Sequence, residues 1–549
     1  MFNAPAKQNS SFPTSLLFTV VPLVAFAAVA FPLSDWIVDD ALISFAYARN
    51  LADGAGFVSQ PGKVPVEGFS NPLWTLLFVP GFWLNAQVPI LYAKLLGHLF
   101  SFATLFFGFH IVLRITGSRL FSCLAMTFLA LNTAFVVWNV SGLENALYAF
   151  EIMALAYLCI VSLDRLSWRI ALMAGLLAAA ATLTRPDGIV FAALWPAALF
   201  VRSVRDWSLA KGTVGSSVAY IGAFAAPVGA YKSMALIYFG SLLPNTYYAK
   251  GTPGLSRLWD ILRLEEAVIE KALSLFAGPF GFAWFTIGAL GVTFILCLVA
   301  RRSVAPLVFL TGATFLAFLA FIVLPNDWMP EFRFGTPFTV LFYPTLFSLI
   351  WVVGDAFLRS RLYSQQFPAF AIVAVLAVAS ILVHQFRFER FYDEPTVPFT
   401  DISKRYGERY NKAAAALGVE DPSFLLQDVG ATLFFTELEI FDLAGLTDGT
   451  VARTLWKDKP ALRDYIFNEV KPTIIHTYAY SALEADLDAS AQFREQYIPL
   501  REAVDEIASE AAGRTIYSGD YVRRDVVENR PEALSQARTA LYGPPGAKR

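Results

Sequence analysis

The sequence predicts a polytopic α-helical membrane protein of about eleven spans that carries an extracytoplasmic α/β domain at its carboxyl end. Three observations predict it. Of 549 residues, 56% are hydrophobic and only 16% charged, with 50 phenylalanines; an average soluble domain carries about 25% charged residues. Long apolar runs recur as far as residue 386, and about 20 helical residues suffice to cross a hydrocarbon core of about 30 Å. Beyond Arg387 charges become frequent, and short β-like runs alternate with helical ones.

In chain order, the candidate spans lie at 14–33, 88–113, 120–138, 143–163, 169–184, 188–202, 213–238, 276–300, 304–325, 336–355 and 367–385. The first resembles a signal peptide, with Lys7 ahead of it and the small residues Ala28-Val29-Ala30 near its end. The many spans behind it favour an uncleaved helix that starts the topology. Lys7, Arg114/Arg119, Arg165/Arg169, Arg202/Arg205/Lys211, Arg301/Arg302 and Arg359/Arg361 fall in alternate short connections. That is the positive-inside signature of cytoplasmic loops. The alternation holds only if the run 72–84 does not cross, so that run reads as a membrane-surface or re-entrant segment. Residues 1–386 then form a transmembrane module and 387–549 a soluble domain on the outer side. The β-like runs of that domain are "SFLLQDV", "LEIFDLAG", "PTIIHTY" and "RTIYSGDYV".

Several function classes fall away. With a net charge of −2 and no basic run, nothing tracks a nucleic-acid backbone. Cys123, Cys159 and Cys297 lie in apolar runs without metal-ligand spacing, as small core residues do. The cytoplasmic face has no P-loop and no glycine-rich nucleotide fingerprint.

Polar clusters gather instead on the outer face. "VDDALISF" sets Asp39 and Asp40 where the chain leaves the membrane. They read either as a helix start, acids in a first turn complementing the helix dipole, or as a pair in which one raised pKa poises a base. "SGLEN" places Glu144 at a helix start, as cap or site. "TRPDG" holds Arg185 and Asp187 around Pro186, a salt-bridged turn or a guanidinium fork for phosphate. "LLPNTYYAK" offers Asn245, Tyr248 and Lys250, a mixture suited to sugar hydroxyls and a phosphate. "NDWMPEFRF" adds Asp327, Trp328 and Arg333. An enzyme on that face meets no nucleotide sugars, so its donor must arrive in the lipid on a phosphate carrier.

In these motifs the chain resembles the bacterial GT-C glycosyltransferases. It is similar in particular to the terminal arabinofuranosyltransferases of mycobacterial cell-wall synthesis and to related membrane proteins linked to flagellar motor control. "VDDALISFAYARNLADGAGFVSQPG", "VEGFSNPLWTLL", "SGLEN", "TRPDG", "LLPNTYYAK", "NDWMPEFRF" and "DVGATLFFTELEIFDLAGLTD" carry the resemblance, in that order, over roughly residues 35–480. It implies the GT-C fold and a polyprenyl-phosphate sugar donor, decaprenylphosphoryl arabinose being the family's best-known case. It places the family's paired acids on Asp39 and Asp40, its "EG…N" segment on Glu67 and Asn71, and its "GLE" on Glu144. It places "RPDG" on Arg185 and Asp187, "PNT…AK" on Asn245 and Lys250, "DWMP…R" on Asp327 and Arg333, and "DLAG" on Asp442 to Gly445. Two departures stand out: Ala46 occupies a position where the family usually has Arg, and the tail is shorter than in the mycobacterial enzymes.

The expectation is therefore a transferase of a sugar, a pentofuranose such as arabinofuranose, to an acceptor glycan or protein outside the bacterial cytoplasmic membrane. Asp39, favoured over Asp40, deprotonates the acceptor hydroxyl, while Arg185, Lys250 and Arg333 hold the leaving phosphate; a divalent cation bound by an acid is the alternative for the pair. A lipid-linked sugar transporter would instead want charges within the spans, where Lys232 is the candidate. A non-catalytic scaffold would tolerate loss of both acids.

Overall fold

The computed structural model describes residues 12–84, 89–206, 212–250, 263, 265–277, 304–358 and 381–544. The predicted spans 276–300 and 367–385 lie mostly outside them. The chain forms two compact units. Met1–Trp36, Ile90–Tyr231 and Pro253–Thr396 make the first; Ile37–Pro89, Lys232–Thr252 and Val397–Arg549 make the second.

Seven helices among the described residues are long and apolar enough to cross a membrane: Leu16–Leu33, Pro89–Thr116, Asn145–Asp164, Pro186–Asp206, Thr213–Phe239, Ala305–Val323 and Arg333–Val352. The predicted run 120–138 becomes a bent pair, Arg119–Ala130 and Thr133–Val140, angled by 63°. Asn132 explains the break: its side chain accepts the Phe135 N–H at 3.0 Å and restarts the helix. Its amide meanwhile donates to the Tyr343 hydroxyl at 3.1 Å. Trp168–Thr184 and Pro72–Leu84 are apolar but shorter, at 17 and 13 residues.

In the first unit, glycines let helices approach closely. A Cβ on Gly97 or Gly175 would fall on the backbone oxygen of Asn139 or Tyr220. Lys94, inside Pro89–Thr116, donates to the carbonyls of Leu33 at 2.7 Å, Val140 at 2.6 Å and Trp36, tying three chain ends with one ammonium. Helix Asn145–Asp164 carries different chemistry at its two ends, about 30 Å apart. At its last turn Asp164 receives Arg114 at 2.6 Å and Arg205 at 3.0 Å, while Arg202 donates to the Ser162 and Leu163 carbonyls. Three of the arginine-bearing connections expected on one side thus meet at one end. The other end begins at Glu144.

The second unit is built on a five-stranded sheet of β1 Ser423–Leu426, β2 Glu439–Asp442, β3 Ile474–Thr477, β4 Tyr497–Val504 and β5 Tyr517–Arg523. Its order is β2-β1-β3-β5-β4, with β1 parallel to β2 and β3, and β5 antiparallel to β3 and β4. Each β-like run read from the sequence holds a strand. β4, "YIPLREAV", is an addition: Pro499 and two charges hide it, and its register shifts at Pro499/Arg501, as an edge strand allows. Leu425, Ile475, Phe467, Phe493 and Tyr521 pack in the core on the sheet. A second, polar knot lies at β3 and β5, where Asp520 bonds His476 Nδ1 at 2.5 Å and accepts from Tyr410 and Tyr542. Burial raises the Asp520 carboxyl, but these partners prevail and hold it below the usual range.

The loop after the first span is part of this same unit. Asp39 N–H donates to Val397 O at 3.1 Å and Phe399 N–H to Ile37 O at 3.0 Å, a short antiparallel bridge. Helix Ala41–Ala52 follows. It is tied to helix Pro72–Leu84 through Asn71, whose side-chain oxygen accepts from Ser44 at 3.0 Å and Thr75 at 3.1 Å.

Candidate functional site

In the first unit, three sequence motifs converge where Asn145–Asp164 begins. Arg185, which ends Trp168–Thr184, donates from Nη1 to Glu144 at 2.7 Å and from Nε to Asp187 at 3.0 Å. Tyr148 donates to the other Asp187 oxygen at 3.0 Å, and Thr184 to Glu151 at 2.9 Å. Glu144, Tyr148 and Glu151 are spaced along one helical face, so three successive rungs fix the "TRPD" turn. Burial opposes the charge on Arg185, but Asp187 and Glu144 outweigh it and raise its proton affinity. Its Nη2 donates to no described residue.

"DWMPEFRF" completes this cluster. Arg333 pairs with Asp327 at 2.6 Å. The Phe334 ring lies 4.8 Å from the Arg185 guanidinium and 4.9 Å from that of Arg333, so one aromatic ring serves two cations. Asn145 donates to Arg333 O at 3.1 Å and to Thr336 at 2.7 Å. Just before Arg333, Glu331 and Phe332 hold left-handed backbone at φ 57° and 50°. For side chains of that size such backbone costs about 1–3 kcal/mol each and persists only under firm constraint. The constraint is visible: Trp138 donates to Glu331 O at 2.9 Å, and Arg387 grips the Glu331 carboxylate at 2.8 Å. Burial raises that carboxyl against the pull of Arg387. Trp328 stands out at 66% exposed.

In the second unit the two acids separate in role. Asp39 is buried, and its carboxylate accepts the Ala431 N–H at 2.6 Å, 392 residues along the chain. Burial raises its pKa, the Ala431 bond opposes, and Asp40 and Asp428 push it up again. Gly430 is required beside it, since a Cβ there would fall on the Asp39 backbone oxygen. Asp40 is only half-buried and occupies the cap position of Ala41–Ala52, yet its side chain makes no capping bond. Asp40 thus stands at the helix start without the capping bond, while Asp39 ties the loop to the tail.

The remaining motifs of this unit meet around a small cleft of about 40 Å³ lined by Glu67, Phe239, Ser241, Asn245, Tyr248 and Arg453, among others. Asn245 N–H donates to Glu67 O at 2.8 Å, and its amide reaches the carbonyls of Gly445 at 2.7 Å, Leu446 at 3.1 Å and Asp448 at 3.2 Å. Asp442 organises that same loop by accepting from Ala444, Gly445 and Thr447. Burial pushes the Asp442 carboxyl up to about 7, against those bonds. A Cβ on Gly68 would lie 2.6 Å from the Tyr47 hydroxyl and 2.8 Å from Thr447. Lys250 is exposed at the end of the short helix Asn245–Ala249.

Arg453, Glu151, Lys94 and the Glu331–Arg387 pair escape sequence reading. Only Lys94 and Glu151 carry a signal, each a charge inside an apolar run. Lys232 donates to Leu242 O at 2.8 Å, which turns its charge toward the helix end. Among the described residues no three His, Cys, Asp or Glu side chains converge as metal ligands, and Asp39 is committed to Ala431.

No protein-family model and no curated protein matches the sequence. Solved structures do. An archaeal oligosaccharyltransferase, AglB from Archaeoglobus fulgidus, in complex with an inhibitory peptide and a dolichol-phosphate, aligns at TM-score 0.59 and 11% identity, covering 93% of this chain and 75% of that one. ArnT from Cupriavidus metallidurans bound to undecaprenyl phosphate aligns at TM-score 0.47 and 13% identity over 93% and 98% of the two chains, and its apo state at 0.45 and 13% over 92% and 97%. The chain is a multi-pass membrane protein with the GT-C fold and a small carboxyl-terminal sheet domain.

Proposed function

We propose that this protein is a membrane glycosyltransferase. It transfers a sugar, a pentofuranose such as arabinofuranose, from a polyprenyl-phosphate donor to a glycan or protein acceptor outside the bacterial cytoplasmic membrane. The observation that carries the reading is the Arg185–Phe334–Arg333 arrangement. Arg185 is aimed by two carboxylates and keeps Nη2 for a further acceptor, as a fork for phosphate requires. The dolichol-phosphate held by the archaeal enzyme of the same fold supports a lipid-phosphate donor.

In the reaction the bond from the sugar's anomeric carbon to the phosphate oxygen breaks, and a bond from that carbon to the acceptor oxygen forms. The leaving polyprenyl phosphate gains negative charge as it departs, which Arg185 and Arg333 stabilise. Lys250, exposed and cationic, is a further phosphate contact. The acceptor's proton passes to a carboxylate within hydrogen-bond reach. We assign this role to Asp40, the more exposed acid of the pair, since one oxygen of the buried Asp39 carboxylate accepts the Ala431 N–H and ties the loop to the tail. The test is incubation of the purified protein with a radiolabelled polyprenyl-phosphate pentose and cell-envelope acceptors. Labelled acceptor and free polyprenyl phosphate in equal amounts are expected; properly inserted protein that transfers no polyprenyl-phosphate sugar would overturn the reading.

A further inference from the structure

The two arginines of the first unit are set in place by different means. Arg185 is gripped directly by the carboxylates of Glu144 and Asp187. Arg333 pairs with Asp327, but it follows a stretch of backbone that does not hold itself. Glu331 and Phe332, at φ 57° and 50°, are the only two successive non-glycine residues with left-handed backbone among the described residues. A return of either to the usual value near −60° would turn the chain by about 110°. Arg333, the next residue, would leave Asp327 and the Phe334 ring.

Arg387 holds both strained residues. It meets the Glu331 carboxylate as a fork, from Nη2 at 2.8 Å and from Nε at 3.2 Å. The same guanidinium lies 5.7 Å from the Phe332 ring. Trp138 fixes the Glu331 carbonyl at 2.9 Å, and Gly335 N–H donates to Phe332 O at 2.7 Å. The Glu331 side chain is 9% exposed and that of Arg387 24%. An ion pair buried to this degree adds little net stability, because desolvation offsets the attraction. What a two-bond fork adds is direction. Here that direction is imposed two residues before Arg333, on backbone that would otherwise relax.

We propose that Glu331 and Arg387 are positioning residues, which hold the strained turn so that Arg333 faces the donor phosphate. The proposal rests on the reading of Arg185 and Arg333 as phosphate contacts. Undecaprenyl phosphate is titrated into full-length wild type, Glu331→Ala and Glu331→Gly in detergent, and hydrogen exchange is followed over residues 327–336. Alanine loses the fork and keeps a Cβ in the left-handed region; glycine loses the fork together with the steric need for it. Glu331→Ala is expected to quicken exchange in the turn and to weaken phosphate binding about tenfold, as misplacing a positioned group does. Glu331→Gly recovers most of that affinity, which a pair serving only fold stability would not allow. Unchanged exchange or affinity in Glu331→Ala, or glycine binding no better than alanine, overturns the proposal. Wild type that binds no undecaprenyl phosphate, with exchange still quickened in Glu331→Ala, contradicts the phosphate reading and leaves the hold on Arg333 standing.

Discussion

The polar motifs of the two units look alike in sequence and do opposite things in structure. In the first unit, Glu144, Arg185, Asp187, Asp327 and Arg333 bond to one another through charged side chains. In the second, Asp39, Asn71, Asn245 and Asp442 spend their polar atoms mainly on backbone groups or neighbouring hydroxyls. A charged, partner-rich cluster with a spare donor is a place for chemistry. A motif residue bonded to backbone is a fastener, and the chemistry is assigned here to Asp40, the more exposed acid beside Asp39.

The largest expected effect separates the two acids. Asp40→Asn is expected to lower transfer about 10²–10⁴-fold with insertion unchanged, as removal of a general base does. Asp39→Asn still accepts the Ala431 N–H through its amide oxygen and keeps activity within tenfold. Transfer assays on both variants decide; the reverse order would restore Asp39 as the base.

Next comes stability of the charged cluster. Arg185→Ala removes the cation shared by Glu144 and Asp187, each with a largely buried side chain, and breaking such a pair costs about 3–5 kcal/mol. A fall in thermal stability in detergent checks this. No fall would mean that water reaches these carboxylates.

The fasteners give smaller, local effects. Asn245→Ala leaves the carbonyls of Gly445, Leu446 and Asp448 without their shared donor, at a cost of about 1–3 kcal/mol. Hydrogen exchange is expected to quicken in residues 442–452 and not in Asn145–Asp164. Asp442 adds a pH dependence. Its pKa is raised from 3.8 to about 7 on folding, so the protonated form is the one the fold favours. Its stabilising contribution is therefore full below pH 3.8 and is lost as pH rises toward 7. The stability difference between wild type and Asp442→Asn should change across that window; a constant difference would assign the titration elsewhere.

Much of this was legible in the sequence because it is local. Apolar runs announce spans, and four of the five strands announce themselves by apolar, β-branched runs. Roles were less legible because they depend on distant partners. Nothing near Asp39 points to Ala431, and nothing near Asn245 points to the Gly445 loop 200 residues on. The sequence therefore favours Asp39 as the base without showing that it is the buried acid of the pair. Arg453 sits in an ordinary polar helix, and only folding sets it over Tyr248.

The central claim, that the arginine cluster holds a lipid phosphate, is tested most directly by titrating undecaprenyl phosphate into wild type and Arg185→Lys. Lysine keeps the charge between Glu144 and Asp187 but lacks the planar fork that serves both and a third acceptor at once. A loss of about one to two decades in affinity is predicted, the worth of one charged hydrogen bond of about 1.5–3 kcal/mol, while Asn245→Ala stays within twofold of wild type. Equal affinity in wild type and Arg185→Lys would contradict the claim.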